Sequence, residues 1–135
     1  MSMYTMKVRP YQCDSYGHVN NARYLEFFEE ARWQLISSIE LDDYLKDNQF
    51  GMVVVSILVN YKRPALPNDN LQIFAKLGEM GNSSFTIHQQ INLDSGELVA
   101  TADVKCVVIN LTSNRPQKIS ENLGKYLKDA AKTNI

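Results

Sequence analysis

The sequence predicts an α+β fold in which an antiparallel sheet wraps over one long helix. Three observations carry this expectation. An aromatic run of helical period comes early, the period changes to alternation after Gly51, and the alternating segments are separated by short polar turns. Strands joined by turns that short run antiparallel, because a parallel connection needs a dozen or more residues. A sheet with one apolar face must then be covered, and the helix is the available cover.

Residues 3–9 are expected to form an opening strand, followed by a loop through "PYQCDSYGHVN". The helix is predicted over 21–38. Tyr24, Phe27, Phe28, Ala31 and Leu35 share one face, and Arg23, Glu26, Glu30 and Gln34 share another. Asn20 or Asn21 is suited to cap it, since an Asn side chain accepts from an otherwise unpaired N–H of the first turn. "LDDYLKDNQ" holds a second short helical turn.

After Gly51, "MVVVSILVNYK" is a β-branched run that fits a strand buried on both faces. "LPNDN" has turn chemistry. Leu71, Ile73, Ala75 and Leu77 alternate with polar neighbours, as do Phe85, Ile87, Gln89, Ile91 and Leu93. "GNSS" separates those two strands and "LDSGEL" turns into the next, where Leu98, Ala100, Ala102, Val104, Cys106 and Val108 alternate. A short strand near "RPQKI" and an amphipathic helix over 120–132, capped by Ser120, complete the order.

The composition narrows the function. At 135 residues one domain over 1–135 is expected, and 44% hydrophobic with 21% charged residues is ordinary globular content. Lys and Arg number 14 against 15 Asp and Glu, with no basic tract to grip phosphates, so no nucleic-acid partner is expected. No apolar run approaches the roughly 18–20 residues that span a bilayer. "MSMYTMKVRP" lacks the apolar core of a signal peptide. Cys13 and Cys106 fit no paired or zinc spacing, and only His18 and His88 are available as imidazole ligands. A reduced, cytoplasmic setting without a metal site is the expectation.

"CDSYGHVNNARYLEFFEEAR" places more small and polar groups ahead of the helix than a connector needs. With the preceding residues, "VRPYQCDSYGHVNNARYLEFFEEAR" resembles the N-terminal signature of the 4-hydroxybenzoyl-CoA thioesterase-like branch of hotdog-fold acyl-CoA thioesterases. The matching positions are Asp14, Gly17, the turn Val19, Asn20 and Asn21, and then Ala22-Arg23-Tyr24 entering the helix. "NYKRPALPND" is similar to the family's second strand and following turn. Gln12 stands where many relatives carry a further acid.

The resemblance implies hydrolysis of an acyl-CoA to a carboxylic acid and free coenzyme A, with coenzyme A as part of the substrate and no separate cofactor. It makes Asp14 the general base or nucleophile and the Asn21 backbone N–H the donor that polarises the carbonyl. Without it, Asp14 reads first as an ordinary turn-forming or helix-entry acid. Gly17 supplies a backbone conformation or a close approach. His18 is a candidate to steer Asp14 or the attacking water, against a structural or solvent-edge role. Asn20 and Tyr24 are candidates for substrate contact beside their cap and core roles.

Lys62 and Arg63 could meet coenzyme A phosphates, or be solvated charges at a strand end. Ser83 and Ser84, turn residues first, are candidates for the pantetheine arm. Glu30 is the rival acid, because some hotdog thioesterases use a helix carboxylate. The family also pairs sheets edge to edge and builds sites between subunits, so a homodimer or homotetramer is expected. Two alternatives stay open: a hotdog hydratase or dehydratase, and a non-catalytic binder of acyl-CoA or acyl-carrier protein.

Overall fold

A computed structural model describes residues 2–133. It contains β1 (Ser2–Lys7), a single 3-10 turn at Pro10–Gln12, α1 (Asn21–Ser38), α2 (Leu41–Asp47), β2 (Phe50–Tyr61), β3 (Asn70–Met80), β4 (Ser84–Leu93), β5 (Leu98–Asn110), β6 (Arg115–Pro116) and α3 (Glu121–Thr133). All strand pairs are antiparallel, in the order β1-β3-β4-β5-β2, with β6 beside β5. The α+β expectation holds, and the long helix keeps its expected bounds.

The inner face of the sheet follows the alternation. Leu71, Ile73 and Ala75 of β3, Phe85, Ile87 and Ile91 of β4, and Ala102, Val104 and Cys106 of β5 are buried with Phe28, Ala31 and Leu35 of α1. The helix starts at Asn21 because Asn20 caps it, its side chain accepting the Ala22 N–H at 2.9 Å. At the far end α3 closes the core with Leu123 and Leu127. Ser120 Oγ accepts the Leu123 N–H at 3.1 Å, and the Tyr126 ring stacks on Tyr44 of α2 with centroids 4.5 Å apart. Among the described residues no helix is long and apolar enough to cross a membrane.

The long β-branched run departs from expectation. It is a strand, but not one buried on both faces: β2 lies at the sheet edge, hydrogen-bonded to β5 alone. Val53, Val54, Val55, Ile57 and Leu58 are all exposed, Leu58 to 60%. Composition reports that a strand suits apolar surroundings on both sides. It does not report whether this chain supplies them. A register shift between Val54 and Ser56 interrupts the ladder, as bulges on edge strands do.

On the outer face His88 is not idle. Its Nδ1 lies 2.6 Å from Asp103 and its Nε2 2.7 Å from Glu79. The ring lies so close to Gly78 that a Cβ there would meet it at 2.5 Å. The Asp103 hydrogen bond first, opposed by burial and helped by Glu79, raises the imidazole above its ordinary 6.5. Its charged form is thus favoured by folding. The stabilisation is complete below pH 6.5 and fades as pH rises through the folded value. Chemical denaturation of His88→Gln should therefore show a larger deficit against the parent at pH 6 than at pH 9. An equal deficit at both would mean the carboxylates do not hold the charged ring.

Candidate active site

The polar loop ahead of α1 is a closed turn. Cys13 and Val19 form an isolated antiparallel bridge, the Asp14 N–H donates to the His18 carbonyl at 2.7 Å, and the Gly17 N–H donates to the Asp14 carbonyl at 3.0 Å. Gly17 has φ +78°, and a Cβ built there would meet nothing within 4 Å, so what it supplies is the left-handed conformation and not a close approach. Gln12 supports the loop. Its side-chain oxygen accepts the Arg9 N–H at 2.8 Å, and its carbonyl accepts the Asn20 N–H at 2.9 Å. The Val19 N–H reaches the Ala65 carbonyl at 2.9 Å and ties the loop to the segment after β2.

Within this turn Asp14 is oriented by its own backbone. Oδ1 accepts the Tyr16 N–H at 2.9 Å and the His18 N–H at 3.3 Å. Oδ2 takes no hydrogen bond among the described residues, so one carboxylate oxygen is fixed and the other is left available. The His18 ring likewise has no hydrogen-bond partner among the described residues. His18 and Asp14 are joined through the main chain, not through the imidazole.

The helix start presents the complementary group. Asn20 satisfies two first-turn donors, with its side chain on Ala22 and its carbonyl accepting the Arg23 N–H at 2.9 Å. The Asn21 N–H is left without an acceptor among the described residues, at the positive end of an 18-residue helix. Tyr61, at the end of β2, donates its hydroxyl to the Asn21 carbonyl at 3.1 Å. Its ring meets Tyr24 edge-on at 5.2 Å. The buried Tyr24 hydroxyl accepts the Ala65 N–H at 3.1 Å, and burial raises its phenol above the usual value.

Asp14, His18, Asn20, Asn21, Tyr24, Lys62 and Arg63 line one cavity of about 390 Å³, together with Tyr61. Lys62 has no ion-pair partner among the described residues, whereas Arg63 pairs with Glu97. Ser83 and Ser84 are not brought to this cavity. Ser84 pairs with Val107 and so lies level with Val53, at the end of β2 remote from Tyr61. Glu30 is exposed on α1 and does not line the cavity either. Sequence reasoning missed Tyr61, which sat inside a recognised segment but carries no sign of a partner 40 positions away. Among the described residues no group of acids, Cys and His gathers to hold a metal ion.

The sequence matches the thioesterase-like superfamily over residues 8–127. It is 38% identical over 128 residues to the long-chain acyl-CoA thioesterase FadM of Escherichia coli (strain K12), covering 94% of this chain and 97% of that protein. The crystal structure of YbaW from Escherichia coli superposes with a TM-score of 0.91 at 36% identity, covering 97% of this chain and 99% of that one. SAV2348 of Staphylococcus aureus, solved in complex with CoA, has a TM-score of 0.84 at 16% identity over 96% of this chain and 83% of its own, a likeness of fold alone.

Proposed function

Since the chain belongs to the thioesterase-like superfamily, we propose that it hydrolyses acyl-CoA thioesters with Asp14 as the acting carboxylate and the Asn21 N–H as the oxyanion donor. Acyl-CoA thioesterase activity rests on the near full-length likeness to a long-chain acyl-CoA thioesterase. The observation that carries the residue roles is the pairing of a free Asp14 Oδ2 with an unpaired Asn21 N–H on one cavity. We read residues 1–135 as one such domain.

In this reading the thioester carbonyl lies against the start of α1. The carbonyl oxygen gains negative charge as its carbon is attacked, and the Asn21 N–H with the helix dipole stabilises that charge. Asp14 Oδ2 either takes a proton from the attacking water or attacks the carbon itself. In the first case the tetrahedral adduct collapses to acid and thiolate, and the proton held by Asp14 passes to the sulfur. In the second, the C–S bond breaks and coenzyme A leaves as the thiolate while an Asp14–acyl anhydride forms. Water then hydrolyses the anhydride to the free acid and the Asp14 carboxylate, and the proton released goes to the thiolate. A single turnover in ¹⁸O-water separates them when the anhydride opens at the Asp14 carbon: label then enters the Asp14 carboxylate and not the first acid released, whereas direct attack of water puts it in the acid. Gly17 permits the turn and Tyr61 holds the helix start. His18, its ring unengaged, is read as a water-positioning group.

Replacing Asp14 with Asn keeps the size and both backbone contacts but removes the base. Loss of general-base help alone should lower kcat by about 10²–10⁴-fold, with folding intact. Glu30→Gln should change it little. The reverse pattern, with Asp14→Asn near parental rate and Glu30→Gln inactive, would move the chemistry to the helix carboxylate.

Lys62, free of ion pairs, is the better placed of the two basic residues for coenzyme A phosphates, because Arg63 must leave Glu97. Lys62→Ala should raise KM more than it lowers kcat, as loss of a contact common to ground and transition states does. Arg63→Ala should have the smaller effect. Unchanged KM in both across a salt series would return these residues to the solvent.

The exposed apolar edge of β2 supports a homodimer, and the homotetramer remains a further stage of the same assembly. Antiparallel pairing of β2 with its copy about the strand's middle sets Phe50 of one subunit beside Tyr61 of the other, so each cavity adjoins the second chain. Light scattering should give at least a dimer at micromolar concentration, and Leu58→Lys should weaken it. A fully active monomer would refute the assembly.

A further inference from the structure

A second cavity, of about 270 Å³, lies between α1 and the start of β2. Trp33, Ile36, Phe50, Met52, Val54 and Leu111 give it apolar walls. Arg32 also lines it, from the middle of α1. That residue is only 6% exposed, yet the one side-chain hydrogen bond it makes among the described residues is Nη1 to Gln89 Oε1 at 3.1 Å. It forms no ion pair among the described residues. A guanidinium carries five N–H donors in a planar fork, and a buried charge without a counter-charge is strongly unfavourable. Burial pushes its pKa down, with Cys106 and Glu29 opposing. The acids at the rim form no ion pair with it: Glu29 is exposed, and Asp42 is held by Lys46 at 2.9 Å.

We propose that this cavity binds a carboxylate on an apolar chain, with the carboxylate paired to Arg32 and the chain against Trp33, Phe50 and Met52. The fork of a guanidinium matches a carboxylate in bidentate geometry. Of the two cations that line it, Lys46 is paired with Asp42, so Arg32, with Glu29 also at the rim, suits a monoanion better than a phosphate dianion, and the walls suit methylenes. Two sources offer this chemistry: a released fatty acid, or the far end of an acyl-CoA whose chain terminates in a carboxylate. Both sources rest on the thioesterase reading, whereas carboxylate binding itself does not. Phe50 and Met52 lie at the end of β2 that the proposed pairing sets beside the second subunit's Tyr61, which brings this cavity next to that subunit's reacting loop.

Trp33 is the only tryptophan in the chain, so intrinsic fluorescence reports on this cavity. The intact protein is titrated with dodecanoate and with methyl dodecanoate. The acid should give a saturable change, and the ester should bind at least about tenfold more weakly, since it lacks the charge-assisted pair. Arg32→Gln should weaken the acid to the level of the ester. Equal binding of acid and ester to the parent overturns the proposal even if the variant fails to fold. So does unchanged acid binding in a folded variant, or an Arg32→Gln protein that falls apart into monomers with acid and ester equal, which would make Arg32 an intersubunit ion pair.

Kinetics then separate the sources. A kcat/KM preference for an ω-carboxyacyl-CoA over the plain acyl-CoA of equal length, lost in Arg32→Gln, assigns the cavity to the substrate's distal end. Acid binding without that preference assigns it to the product. Acid binding with no thioester hydrolysis at all would refute the enzymatic reading and leave the carboxylate site standing.

Discussion

The start of α1 is held from several sides, and the site depends on how those contacts divide its donors. Asn20 engages the N–H groups of Ala22 and Arg23, Tyr61 donates to the Asn21 carbonyl, and the loop is tied to the post-β2 segment through Val19 and Ala65. An asparagine cap contributes about 1 kcal/mol to a helix. Its larger consequence here is selective: it uses the neighbouring donors and leaves the Asn21 N–H unpaired at the cavity. The same turn fixes one oxygen of Asp14 and leaves the other open. A donor and an acceptor are thereby held on one cavity before any ligand arrives, which is the arrangement electrostatic preorganisation requires.

How much of this is legible in the residues depends on the range of the interaction. The long helix could be read in its bounds because Tyr24, Phe27, Phe28, Ala31 and Leu35 repeat at helical spacing and an Asn precedes them. Asp14, Gly17 and Asn21 could be placed together at one turn and helix start because a motif is local. Tyr61 could not, since its hydroxyl serves a carbonyl brought near only by the sheet. Ser83 and Ser84 look like polar turn residues in any strand order, and the register alone separates them from the loop. For β2, β-branching reports apolar surroundings without saying which chain provides them. Arg32 was hidden differently: a cation within an amphipathic helix ordinarily reads as its solvent face, although its spacing from Phe28 and Ile36, one turn to either side, puts this one on the buried face.

The edge strand links the two cavities. One is lined by Tyr61 at the end of β2, the other by Phe50 and Met52 at its start. In an isolated chain these are opposite ends of a 12-residue strand. In an antiparallel pair they become neighbours across the subunit boundary. In the proposed dimer the exposed valines, the polar loop and the buried guanidinium would be parts of one composite surface, polar at the loop and apolar at the second cavity.

The central claim is that Asp14 Oδ2 and the Asn21 N–H address the same carbonyl. A crystal structure of the protein with an unreactive acyl-CoA ketone, in which a methylene replaces the thioester sulfur, tests this most directly. The account predicts the ketone oxygen at about 2.7–3.1 Å from the Asn21 nitrogen, with Asp14 Oδ2 facing the carbonyl carbon or a water poised over it. A carbonyl seated away from the start of α1, with a carboxylate other than Asp14 beside its carbon, would contradict it.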